Sequence, residues 1–128
     1  MQTSVTRNTI LLSLLLVTGS ASAEWSKTAS SDFDDFYIDP STITKNGDQR
    51  RVWTITNYKQ RTPAGEMSNR MRLQFDCKEE RFKSLALSKH TELMAKGKIT
   101  YSDDGVPDWH EIPPDSNIAV VLKAVCAK

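Results

Sequence analysis

The chain has 128 residues, of which 17 are Lys or Arg and 16 are Asp or Glu, so its formal net charge is +1. This balance lacks the basic excess that marks a dedicated nucleic-acid-binding protein. The length fits one small domain with a modest core, for which a covalent cross-link would add useful stability.

The first 23 residues have the pattern of a secretory signal peptide. Arg7 gives a positive N-terminal region, residues 10–17 are almost wholly apolar, and Ala21-Ser22-Ala23 places small residues at the cleavage positions. The apolar run is shorter than the about 20 residues that span a bilayer, and an uncleaved anchor is the alternative. We therefore predict an exported protein without a transmembrane segment, in the periplasm or at the cell surface, with one mature domain over residues 24–128.

The first half of the mature chain favours antiparallel strands. The segment "SDFDDFYID" ends at Asp39-Pro40, where proline favours a turn or a short helical turn. Asn46-Gly47 is a strong hairpin signal, because both central positions of a type I′ turn need positive φ. In the following "RRVWTITNY", Trp53 and Ile55 lie on one face and Val52 lies on the other.

The second half adds three further predicted strands. In "RMRLQFDCK", apolar residues and Cys77 alternate with polar ones, which indicates a half-buried strand with Cys77 facing the core. The alternation is broken in "RFKSLALSKHTEL", which suggests a bulge or a twisted strand. The segment "KITYSDDGVP" predicts a last strand, with Ile99 and Tyr101 pointing inward.

The C-terminal segment "DSNIAVVLKAVCAK" predicts an amphipathic helix. Asp115 or Ser116 would be the N-cap after the prolines. The β-branched residues leave a buried strand as the alternative. The fold prediction is therefore α+β: a single antiparallel sheet of about five to six strands with a C-terminal α-helix packed on it. The apolar positions at helical spacing are Ile118, Val121, Leu122 and Val125, with Cys126 on the same edge.

The two cysteines, Cys77 and Cys126, most simply form a disulfide in an exported chain. The chain has no C-x-x-C pair for redox chemistry, and the cysteines show no zinc spacing with His90 and His110. We expect neither a metal nor a cofactor.

Candidate catalytic groups are present but do not form a recognisable constellation. His90 and His110 could act as bases, yet neither accompanies a nucleophile motif. Aspartates gather near residues 32–39 and 103–108 without a calcium-loop pattern, and turn chemistry explains them. We therefore predict that the protein is not an enzyme.

Basic residues gather in the middle of the chain, at Arg50, Arg51, Arg70 and Arg72. Arg70 and Arg72 share the solvent face of their strand, and a neighbouring strand could extend the patch. Such a surface could meet an acidic protein or an anionic polymer. An ordinary solvated face is the alternative interpretation. An edge strand of the sheet could also join two copies into a homodimer.

A series of short motifs, in order, resembles the surface-adhesin protein E family of Gram-negative bacteria and covers nearly the whole mature domain. The motifs are Trp25, "FYIDPSTI" (36–43), "VWTITNY" (52–58), "FDC" (75–77), "YSD" (101–103), "WHEIPPDS" (109–116) and "VC" (125–126).

The resemblance implies an antiparallel sheet with a C-terminal helix, a disulfide between Cys77 and Cys126, and a dimer. It also implies an adhesin that binds host matrix and serum proteins such as vitronectin and laminin. This sequence departs from that adhesin because it shows no lipid-attachment cysteine after the leader, and no binding residue is carried over. The function expected is therefore an exported, non-enzymatic binding domain. The alternative is a periplasmic accessory or sensor-like domain that binds a small ligand or an envelope component.

Overall fold

The computed structural model describes residues 24–128 as an antiparallel sheet with one α-helix, and the predicted signal peptide lies outside the described residues. Pro40–Thr42 forms a single 3-10 turn, and Leu93–Ala95 forms a tight turn in which Met94 and Ala95 have positive φ. The strands are β1 (Ser26–Ser30), β2 (Asp34–Ile38), β3 (Thr44–Asn46), β4 (Gln49–Tyr58), β5 (Ser68–Asp76), β6 (Arg81–Glu92), β7 (Lys96–Asp103) and β8 (His110–Glu111), and the helix α1 is Asn117–Cys126.

The sheet has the spatial order β1-β2-β4-β5-β6-β7, with β3 pairing β4 and β8 pairing β6. The predicted α+β fold with one antiparallel sheet and a C-terminal helix is confirmed. The predicted count of about five to six strands is wrong, because the sheet has eight. The additional strands are short and polar, so their pairing depends on a neighbouring strand rather than on an alternating pattern of their own.

The hairpin between β3 and β4 turns one residue later than the sequence predicts. Asn46 pairs with Gln49, so the two loop residues are Gly47 and Asp48. Gly47 has φ of +60°, and it stands at the first central position, where a type II′ turn requires glycine. At the end of β2, the predicted short helical turn is confirmed, and the Asp39 carboxylate accepts a hydrogen bond from the Ser41 N–H at 3.0 Å.

Strands β6 and β7 show one confirmed and one wrong prediction. Arg72 pairs with Ala86 and Leu73 pairs with Ser84, so Leu85 is an extra residue in β6 and the bulge is confirmed. Ile99 and Tyr101 do not point inward; they are 62% and 50% exposed. The reason is that β7 is the outer strand of the sheet, where no described element covers these side chains.

The helix closes the core over one face of the sheet. Ser116 is its N-cap, and its hydroxyl accepts a hydrogen bond from the Ala119 N–H at 3.2 Å. A disulfide between Cys77 and Cys126 ties the C-terminal end of α1 to the end of β5, as predicted. Each buried large side chain contributes about 1.5–3 kcal/mol, so the core is the main source of stability. The buried cluster consists of Ile38, Val52, Leu73, Phe75, Val121, Leu122 and Val125.

The face of the sheet that α1 leaves open follows from the register of the central strands. Val52 pairs with Leu73 on the helix side, so the neighbouring pair Trp53 and Arg72 lies on the other side. We call this other side the helix-free face. Along the central strands it carries Arg51, Trp53, Ile55, Arg70, Arg72, Gln74 and Lys83. Over residues 24–128, no helix has the length and apolar content to cross a membrane.

Candidate binding surface

Three of the four predicted arginines lie together on the helix-free face. Arg51 pairs with Gln74 across β4 and β5, and its Nε donates a hydrogen bond to the Gln74 Oε1 at 3.1 Å. The Arg70 guanidinium carbon lies 4.2 Å from the centroid of the Trp53 ring. Arg72 pairs directly with Trp53. The arginines are therefore held on the two central strands, and the Trp53 ring supports one of them by a cation–π contact.

The fourth predicted arginine, Arg50, lies on the helix side. It pairs with the core residue Phe75, and its Nη1 donates to the carbonyl oxygens of Gly47 at 2.7 Å and Gln49 at 3.0 Å. Successive residues of a strand point to opposite faces, so Arg50 and Arg51 could not share a surface. Arg50 secures the β3–β4 hairpin and is not part of the cluster on the helix-free face.

A lysine extends the cationic surface onto β6. Lys83 pairs with Gln74, and its Nζ lies 4.6 Å from the centroid of the Trp109 ring. Arg81 approaches the same ring, with its guanidinium carbon also 4.6 Å from the centroid. Trp109 precedes β8, whose residues pair with the start of β6. The pairing of β8 thus brings an aromatic ring beside the cations of the neighbouring strand.

Within residues 24–128, most of the cations on this face have no partner in an internal ion pair, Arg81 being the exception through Asp76. Among the described residues, ion pairs involve Lys27, Lys59, Arg81 and Lys89, so Arg51, Arg70, Arg72 and Lys83 form none. Cations without internal partners remain available to an external acidic group.

Asp76, the acidic residue at the end of β5, is already engaged. Its Oδ1 accepts hydrogen bonds from the backbone N–H groups of Lys78 at 3.2 Å and Glu79 at 3.1 Å. Its Oδ2 accepts from the Arg81 Nε, also at 3.1 Å. The Glu79 N–H is the main cause that lowers the pKa of Asp76; burial opposes it, and Arg81 adds to the lowering. The Asp76 carboxylate therefore stabilises the turn that follows β5 and also holds the side chain of Arg81.

The two histidines considered as bases have different surroundings. His90 is buried, and its Nε2 lies 2.7 Å from the Ser88 Oγ. Burial lowers the pKa of His90, and the positive charge of Arg70 adds to this effect. Its Nδ1 has no hydrogen-bond partner among the described residues. His110 is exposed on β8, with its ring centroid 5.6 Å from that of Phe82.

Sequence reasoning missed Lys83 and gave Trp53 and Trp109 no part in this surface. The alternation of Arg81 and Lys83 along one strand was a readable signal, because it places both on one face. Their meeting with Trp109 depends on β8, which has only two residues and carries no pattern of its own.

Comparison with known proteins gives a family and a fold. A family model described as "Surface-adhesin protein E" matches residues 25–127. Crystal form II of Haemophilus influenzae protein E is similar, with a TM-score of 0.58 and 15% identity over 84% of this chain and 97% of that chain. Protein E from non-typeable Haemophilus influenzae has a TM-score of 0.58 and 12% identity over 85% of this chain and 79% of that one. The structural likeness at these identities establishes the fold alone. A search of curated proteins found no match.

Proposed function

Since the chain belongs to the surface-adhesin protein E family, we propose that it is an exported, non-enzymatic adhesin whose helix-free face meets acidic groups of its partner. The single observation that carries this proposal is the cluster of Arg51, Arg70 and Arg72. These side chains stand on one open sheet face without ion pairs among the described residues. The partners considered are host matrix proteins and anionic polymers of the cell envelope or surface.

The position of the arginines suits contact with a large partner. They stand on β4 and β5, the two central strands, so the backbone that carries them is already ordered before a partner binds. Guanidinium groups can form two parallel hydrogen bonds with a carboxylate or sulfate, which a lysine cannot do. Charge complementarity of this kind raises the association rate and selects acidic partners.

Reversing two of these charges is expected to weaken binding strongly. We expect Arg70→Glu/Arg72→Glu to reduce the affinity for immobilised laminin or vitronectin about tenfold or more, which is at least about 1.4 kcal/mol. The cause is the replacement of attraction by repulsion at the centre of the helix-free face. Binding of the unaltered protein should also weaken as salt rises, because the Debye length falls to about 3 Å at 1 M. Surface plasmon resonance at several salt concentrations measures both effects.

The matched control is Lys123→Glu/Lys128→Glu, which changes the net charge equally on the helix side. Both lysines are exposed, and Lys123 belongs to α1. Normal affinity is expected for this variant. Equal losses in both double variants would attribute binding to net charge, and unchanged affinity in the first would remove the arginine cluster as its cause.

We also propose a homodimer formed through β7. This strand is the outer edge of the sheet beyond β6, and it exposes Ile99 and Tyr101. An open strand edge presents unpaired backbone groups that a second copy can pair with. We expect light scattering at two concentrations to show the dimer mass at the higher one, and Ile99→Lys to remain monomeric. Val120→Lys, at an exposed apolar position on α1, should dimerise normally. A monomer at both concentrations would exclude this dimer.

A hollow beside the helix supports the alternative function, a periplasmic accessory domain that binds a small ligand. The hollow has a volume of about 410 Å³ and is lined in part by Ile112, Ala119 and Leu122, with Glu80 and Lys123 also in its wall. Protease added to intact cells and to permeabilised cells distinguishes the two functions. Digestion on intact cells supports the adhesin, whereas protection until permeabilisation supports the periplasmic domain.

A further inference from the structure

A polar hollow lies on the helix-free face where β3, β4 and β5 meet. It has a volume of about 200 Å³, and its walls are Thr44, Asn46, Gln49, Arg51 and Gln74. The register explains the grouping, because Thr44 pairs with Arg51 and Arg51 pairs with Gln74. Every lining side chain is polar and one is positively charged. A lining of amides, a hydroxyl and a guanidinium offers both donors and acceptors for hydroxyl groups, and a charged donor for an acidic group.

Gln74 organises the hollow from its floor. It is only 7% exposed, and its side-chain amide binds a neighbour on each side. Its Oε1 accepts from the Arg51 Nε at 3.1 Å, and its Nε2 donates to the Gln49 Oε1. This arrangement fixes the plane of the Arg51 guanidinium and leaves its two terminal nitrogens without a hydrogen-bond acceptor among the described residues. A planar donor pair held in this way matches a carboxylate or a sulfate.

We propose that this hollow binds one acidic sugar residue of an anionic polysaccharide. Arg51 takes the carboxylate or sulfate, and the amide and hydroxyl side chains exchange hydrogen bonds with the sugar hydroxyls. Pockets that enclose a drug-sized ligand have volumes of about 300–1,000 Å³, so this smaller hollow suits one residue of a longer chain. The inference deepens the proposed function and rests on it, because Arg51 belongs to both surfaces.

The surroundings of the hollow give the polysaccharide a path. Lys83 pairs with Gln74 at one side of the hollow, and Arg72 lies two residues from Gln74 along β5. A second hollow of about 510 Å³ shares Asn46 and Gln49 with the first. Its wall also carries the carboxylates of Asp48, Asp76 and Glu79, so a polyanion is directed toward Lys83 and Arg72 rather than into it. An extended chain seated in the first hollow can therefore place its neighbouring acidic groups near further cations. This repeated attraction is what a polyanion offers and a single acidic side chain does not.

The test titrates the purified protein with three tetrasaccharides by calorimetry: a sulfated one from heparin, a carboxylated one from hyaluronan, and neutral maltotetraose. We expect at least one acidic tetrasaccharide to bind and maltotetraose not to bind. The two acidic ligands show whether sulfate or carboxylate is the preferred group. Arg51→Lys, which keeps the charge but loses the planar donor pair, should weaken acidic-sugar binding about fivefold, and Gln49→Ala about threefold. Gln60→Ala, at an exposed loop position, is the matched control for the second variant and should bind normally.

The outcomes separate this inference from the proposed function. Acidic tetrasaccharides that bind no better than maltotetraose overturn the sugar site, as does full binding by Arg51→Lys and Gln49→Ala. If laminin or vitronectin binding in such a case still depends on Arg70 and Arg72, the adhesin function stands and its partner is an acidic protein surface. Thermal melting of each variant excludes loss of folding as the cause of lost binding.

Discussion

Replacing both cysteines, Cys77→Ser/Cys126→Ser, is expected to lower the free energy of unfolding by about 4 kcal/mol. The disulfide closes a loop with a sequence separation of 49, so its loss restores a large conformational freedom to the unfolded chain. The same bond holds the last turn of α1 beside the end of β5. Urea denaturation followed by tryptophan fluorescence measures the loss as a shift of the transition midpoint.

A second measurement separates the cross-link from the side chains that form it. The unaltered protein, reduced and then alkylated at both thiols, should lose a similar free energy. A loss below about 1 kcal/mol in the serine variant would show that the helix packs independently of the disulfide. Two free thiols in the native exported protein would contradict the disulfide itself.

Truncating the central aromatic residue of the core should have an effect of similar size. Phe75 is 0% exposed and packs in the cluster that joins the sheet to α1. Phe75→Ala should lower the free energy of unfolding by about 3–5 kcal/mol, because it removes buried apolar surface and leaves a cavity that the rigid sheet cannot fill. Denaturation in urea at constant pH measures this change.

The same substitution at an exposed phenylalanine is the control. Phe33 is 82% exposed in the loop between β1 and β2. Phe33→Ala should change the free energy of unfolding by no more than about 0.5 kcal/mol. Comparable losses at the two positions would mean that Phe75 does not occupy the centre of the core.

The elements that sequence predicted well are those whose own residues contain the signal. The helix has an N-cap at Ser116 and apolar residues at helical spacing, and both features act within one segment. Strand β5 alternates apolar and polar residues, and its apolar side chains Met71, Leu73 and Phe75 pack in or against the core under the helix, as that pattern predicts. The disulfide followed from an exported chain with two cysteines.

The features that sequence predicted poorly depend on partners elsewhere in the chain. Ile99 and Tyr101 were predicted to face inward. Both side chains are exposed because β7 lies at the edge of the sheet. In the candidate surface, too, some features follow from a local pattern and others depend on distant partners. Alternation could have separated Arg50 from Arg51, whereas the meeting of Lys83 with Trp109 depends on the short strand β8. Register between strands is set by packing and turns, which a single sequence does not display.

The helix and the disulfide both stabilise the fold from one side of the sheet. This arrangement affects which residues can be substituted during evolution. Arg51 and Arg70 are exposed on the other side, so their replacement removes little of the apolar burial that keeps the chain folded. Most proteins tolerate only a few destabilising substitutions before they fall below the stability that function requires. In this fold the charged side chains of the open face can vary at small thermodynamic cost. A lineage can therefore alter what this face recognises while the core that supports it stays the same.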